Sequence, residues 1–210
     1  MSTAPYPHPA FPAFFDLVPR IHLYDPLAEL LGSAQGGVLE YGYADAVRLA
    51  GHSCPTVASA YWMCVRALRE LYPQSLPVRG NIKVSVRDPM DVGTTGVVAS
   101  VVGLLTGAAS SGGFKGIGGR FVRRDLLAFS TPIDTDLQFT RTDTGASVRA
   151  QARPQSVPAD PRTMPLLARC LSGEASEAER TEFGQLWQQR VQRILLDHAN
   201  DDAVFSVISE

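Results

Sequence analysis

Two absences bound what this chain can be. It has three cysteines, Cys54, Cys64 and Cys170, and no C-x-x-C pair. So small and odd a number argues against a disulfide framework, and the spacing excludes a zinc ribbon and a thioredoxin-type redox motif. No apolar run approaches the roughly 20 residues needed to span a bilayer. The first residues, MSTAPYPHPAFPAFF, are broken by proline and have no basic start, so no secretory signal is expected and the expected compartment is the cytoplasm. Charge of one sign is also lacking: 19 Lys and Arg stand against 21 Asp and Glu. Neither nucleic acid nor an anionic membrane is therefore expected as the main partner.

What is present is enough apolar residue for one core: 45% of 210 residues. Residues 1–13 read as a flexible arm. Asp25 as N-cap, Pro26 as first helical residue and Gly32 as stop predict a short helix. A strand over 37–43 and a helix over 44–51 follow. The clearest helix spans 55–72, with Val57, Tyr61, Cys64, Leu68 and Leu71 spaced alternately by four and three. Alternation of Ile82, Val84 and Val86 predicts a strand. Residues 95–109 are apolar almost all round and predict a helix buried between layers. Strands are expected at 126–129, 137–141 and 147–153, then helices at 164–173 and after Ser176, whose capping box is completed by Glu179. Strands joined as meanders, with helices before and after, predict an α+β fold: a mostly antiparallel sheet packed against helices in a single domain.

The stretch AGHSCPTV, residues 50–57, carries the candidate chemistry. Cys54 precedes Pro55 and so sits at a helix N-terminus, where unpaired amides and the helix dipole favour an anion. That makes a thiolate more available for a metal or for attack. If the segment is extended, His52 and Cys54 point to one side, and imidazole with thiolate suits zinc, iron or copper. Two ordinary packing residues at a helix start are the alternative. His22, in RIHLYDP, is a candidate third ligand or a buried, backbone-bonded histidine. Asp91, just past a strand, is a candidate ligand or a turn residue. His8 and His198 receive no catalytic role. The stretch GGFKGIGGRFVRR could hold a small anionic ligand through backbone amides, Lys115 and Arg120, although it matches no phosphate-binding motif and its glycines also suit a tight chain path. Cys64 and Cys170 fit apolar helix patterns.

With these residues in view, the chain resembles the FmdE-like domain family, named after a component of formylmethanofuran dehydrogenase. GHSCP, followed by a long helix, matches the core of the family motif H-G-H-x-C-P-G. TGA at 106–108 and GFKGIGG at 113–119 match later parts in order. The departures are Ala50 for the first histidine, Thr56 for the last glycine, Ala108 for the cysteine of T-G-C, and Met90 or Asp91 near a missing turn cysteine. The resemblance covers roughly residues 40–130 and implies a metal-binding α+β domain paired as a homodimer; that domain is expected to span residues 14–155, with residues 156–210 as a helical extension on it. It carries His52 and Cys54 over as ligands; His22 and Asp91 follow from chemistry alone.

The leading expectation is therefore a transition-metal protein, zinc first, with a position open to a small ligand or substrate; whether it is an enzyme stays open. A haem-binding or sensing module lined by the 95–109 helix, Tyr61, Trp62 and Phe114 is one alternative. A thiol enzyme with Cys54 as nucleophile and His52 as base is another. On the metal reading, purified protein carries about one metal per chain, and elemental analysis finds it lost in both His52→Ala and Cys54→Ser. His22→Ala weakens binding more than His198→Ala. A Soret band would favour haem instead.

Overall fold

A computed structural model describes residues 11–209, so His8 and most of the expected arm lie outside the described residues. The architecture is α+β. Strand β1 (Ile21–Tyr24) pairs antiparallel with β2 (Val38–Tyr41), and between them Asp25 caps α1 (Pro26–Leu30), its carboxylate accepting from the amides of Leu27 and Ala28. Helix α2 (Tyr43–Ala50) stops at Gly51, which adopts φ 76°. Then come α3 (Pro55–Leu71), β3 (Ile82–Val86), α4 (Thr95–Thr106), β4 (Leu127–Ala128), β5 (Leu137–Arg141), β6 (Ser147–Ala152), α5 (Thr163–Ser172), α6 (Glu177–Gln192) and β7 (Phe205–Ser209). The larger sheet runs β4-β3-β5-β6-β7, antiparallel except for the β3–β4 pair. None of the described helices is long and apolar enough to cross a membrane.

Alternation decides which face of the sheet is buried. The cross-strand rows Val84–Phe139–Val148 and Val86–Leu137–Ala150 are all buried, so apolar side chains stack on one face. Helix α3 lies against β6, β7 and α4. Twelve of its 17 residues are buried, including Trp62, whose indole donates to the Leu195 carbonyl at 2.8 Å. Phe11, Phe15, Tyr43, Tyr61 and Trp62 form a chain of ring contacts with centroids 4.9–6.0 Å apart, which ties residues 11–17 to this helix. Val191, Ile194, Leu195 and Phe205 belong to the same core.

Three elements depart from expectation. Helix α4 is not buried all round: Ala99, Val101, Val102 and Leu105 face the core, whereas Ser100 is exposed. An apolar sequence does not say which side a neighbour covers. Strand β4 is only two residues long, because Asp125 (φ 61°) and Ser130 (φ 56°) bracket it with left-handed backbone. Strand β7 has no counterpart in the sequence pattern, yet it pairs along β6 from Val148 to Ala152.

One buried charge cluster fastens the small sheet to the body. Asp25 is 3% exposed and accepts from Arg123 Nη2 at 2.7 Å and Arg79 Nη1 at 2.9 Å. Arg79 also donates to the Leu104 carbonyl near the end of α4. Gly80 has φ +85°, and a Cβ there would fall 1.7 Å from Arg123 Nη1, so only glycine fits. Burial pushes the Asp25 carboxyl up, but its bonds to Arg79, Arg123 and two backbone amides outweigh this and hold it below the usual range. A depressed folded value stabilises the native state above the unfolded value of about 3.9 and is lost as pH falls through the folded one. Asp25→Asn, which leaves two guanidinium groups short of a charge partner, should cost about 3–5 kcal/mol at neutral pH in denaturant melts. It should also flatten the fall in stability in acid. A loss under about 1 kcal/mol would show the cluster to be incidental.

Candidate functional site

The loop from Gly51 to Cys54 is held by a helix far along the chain. Trp187 Nε1 and Gln188 Nε2 of α6 both donate to the Ser53 carbonyl, at 3.0 and 3.2 Å. Ser53 Oγ donates to Gln188 Oε1 and lies 2.9 Å from the Tyr43 hydroxyl. With the loop fixed, Cys54 becomes the N-cap of α3, and its sulfur accepts from the Val57 amide at 3.5 Å. Burial raises the Tyr43 phenol, so it stays protonated at neutral pH as a donor to Ser53.

The residues singled out as metal ligands fall in four separate environments. Cys54 is buried in its cap. His52 is exposed, and its Nδ1 donates to the Ala50 carbonyl at 2.9 Å. His22 is exposed on β1, with Nε2 3.1 Å from Glu40 Oε2 on the opposite strand. Asp91 is exposed in the turn before α4. Among the described residues no group of three or more His, Cys, Asp and Glu is placed to hold a metal ion. The extended geometry expected to align His52 with Cys54 is broken, because one faces water and the other caps a helix.

Lys115 and Arg120 are both exposed on a hairpin closed by the Ile117–Arg120 bridge, with the Arg120 guanidinium 4.8 Å over the Phe121 ring. The glycines around them shape this turn. Cys64 is wholly buried, and burial pushes its thiol up. His198 pairs with Asp201 at 2.8 Å.

A cleft of about 240 Å³ opens where the N-termini of α3 and α4 meet one end of the central strands β3, β5 and β6. Thr56 and Ser59 line it from α3, Thr94 and Thr95 from the start of α4, and Asp88 and Asp136 from just beyond β3 and just before β5. The first-turn amide of Thr56 has no carbonyl to meet within its own helix, whereas Val57 donates to the Cys54 sulfur and Thr95 and Val97 to the Val92 and Thr94 carbonyls. Ser59 is 4% exposed, and its hydroxyl has no hydrogen-bond partner among the described residues. The Arg87 guanidinium bonds Asp88 at 3.3 Å and Asp136 at 3.0 Å, which holds it above its usual range. Asp136 also accepts from the Ala152 amide at 3.0 Å.

None of these lining residues was singled out from the sequence. The available signal was a pair of hydroxyls three apart in the first turns of α3, in a stretch otherwise apolar, together with Asp88 soon after β3. No protein-family model matches this chain, and no curated protein matches it.

A buried hydroxyl without a partner is unfavourable by about 1–3 kcal/mol. Ser59→Ala should therefore leave the fold intact and hold or raise stability, by up to about 1 kcal/mol, in denaturant melts. A loss of about 2 kcal/mol or more would mean that the hydroxyl is bonded within the protein in solution.

Proposed function

We propose that this protein binds a small molecule bearing an oxyanion, carboxylate or phosphate, in the cleft between the N-termini of α3 and α4. The observation that carries the reading is Ser59, a buried hydroxyl lining the cleft with no partner among the described residues. Beside it are the free first-turn amide of Thr56 and the positive ends of two helix dipoles, from helices of 17 and 12 residues. The carboxylates of Asp88 and Asp136 would oppose an anion, and Arg87, bonded to both, reduces that opposition. Apolar lining from Val86, Val98 and Leu137 suits a ligand with a short hydrocarbon part.

A second reading keeps the expectation from the family resemblance: a soft transition metal, zinc first, on Cys54 and His52. Its support is the placement of the Cys54 sulfur as the N-cap of a long helix, next to the loop that carries His52. The two donors would need help from water, a ligand or a second copy of the chain, and His52 would have to turn from the Ala50 carbonyl.

Titration of the isotope-labelled protein with propionate and with inorganic phosphate, followed by amide NMR, tests the first reading. Shifts should centre on Thr56, Ser59, Thr95 and Gly96 and weaken in Ser59→Ala. Shifts centred on Lys115 and Arg120 would place the anion on the glycine-rich hairpin instead. No shift at either place would end the oxyanion reading.

A further inference from the structure

We infer that the ligand of this cleft is a zwitterion, a small α-amino acid with a short apolar side chain, an inference that rests on the oxyanion reading above. The argument is one of charge balance and of free acceptors. The cleft has two ends of opposite character. The free Thr56 amide and the Ser59 hydroxyl supply donors at the start of α3. Asp88 and Asp136 supply acceptors at the ends of β3 and β5.

The two carboxylates are not equivalent. Asp136 has both oxygens engaged, one by Arg87 and the other by the Ala152 amide. Asp88 has a single long contact, 3.3 Å to Arg87 Nε, and its second oxygen has no bond among the described residues. One guanidinium against two carboxylates leaves the sheet end with a net negative charge. A purely anionic ligand would meet that charge directly. A ligand with an ammonium group opposite Asp88 and a carboxylate at the helix starts satisfies both ends, with charge-assisted hydrogen bonds at each. The remaining lining, Val98, Leu137 and Pro154, is apolar, and about 240 Å³ admits a side chain of the size of alanine or valine.

The test removes one charge of the ligand at a time. Calorimetry and amide NMR compare L-alanine with propionate, which lacks the amine, and ethylamine, which lacks the carboxylate. L-Valine, 3-methylbutanoate and isobutylamine form a second such set. The expected result is that each amino acid binds at least about tenfold more tightly than both of its truncated forms, the effect of one lost charge-assisted bond. Asp88→Asn should lower amino-acid affinity by a similar factor while leaving the carboxylates unchanged or slightly tighter. Circular dichroism checks that the variant is folded.

Carboxylates that bind as tightly as the amino acids, or an Asp88→Asn variant that keeps the preference, would overturn the zwitterion and leave the oxyanion reading standing. Amines that bind alone, with no response to any carboxylate, would overturn both. If none of the six compounds shifts Thr56, Ser59, Thr95 or Gly96, the cleft is not a binding site for either class.

Discussion

Burial of α3 is the constraint on which the rest of this structure depends. The helix has neighbours on nearly every side: the sheet through β6 and β7, α4, and the C-terminal turn that receives the Trp62 indole. A helix packed this completely cannot slide or roll without opening voids. Its N-terminus is therefore a fixed point, and everything assembled there inherits that rigidity. The Ser59 hydroxyl is placed by packing that lies elsewhere along the same helix, and the Cys54 cap by that packing together with the bonds from α6 to Ser53.

A second fixed point is the Asp25 carboxylate with its two guanidinium partners. It joins three stretches of chain: the start of α1, the segment before β3, which also meets β1 through the Tyr24–Val78 bridge, and the base of the glycine-rich hairpin. The glycines nearby thereby gain a structural explanation. Gly80 and Gly107 allow the Arg123 side chain to pass, since a Cβ at either would lie within 2.7 Å of its Nη1. Gly116, with φ +87°, lets the hairpin close against the Arg120 carbonyl. The stretch with the composition of a phosphate cradle is explained first by chain path and by a buried arginine.

The cleft lies at the first of these anchors, the start of α3, and is polar and incompletely bonded. The start of α3 contributes donors, the ends of β3 and β5 contribute acceptors, and a single arginine ties the two carboxylates together. Pre-formed polarity of this kind, on rigid elements, suits binding of a small molecule whose charges are already separated. A divalent cation of the hard type would find oxygen donors here too, but only two carboxylates, both already bonded to Arg87.

Local rules made much of the fold legible. Asp25 with Pro26, Ser176 with Glu179, and Gly51, Gly107 and Gly173 at φ 74–78° mark helix ends by bonds within a few residues, and such bonds are written in consecutive sequence. The four–three spacing in α3 and the alternation in β3 likewise depend on one segment at a time. Strand β7 was not legible, because a short strand is defined by its partner, and β6 lies about fifty residues upstream. Nor was the fate of GHSCP. Sequence placed Cys54 at the start of a helix, but the direction of His52 was set by the Ala50 carbonyl and by α6, more than 130 residues away. Thus the chain by itself determined where most of its helices begin and end and that its elements form an α+β fold. Only tertiary packing decided which polar groups would be left facing one another, because an unpaired hydroxyl is a property of everything that surrounds it.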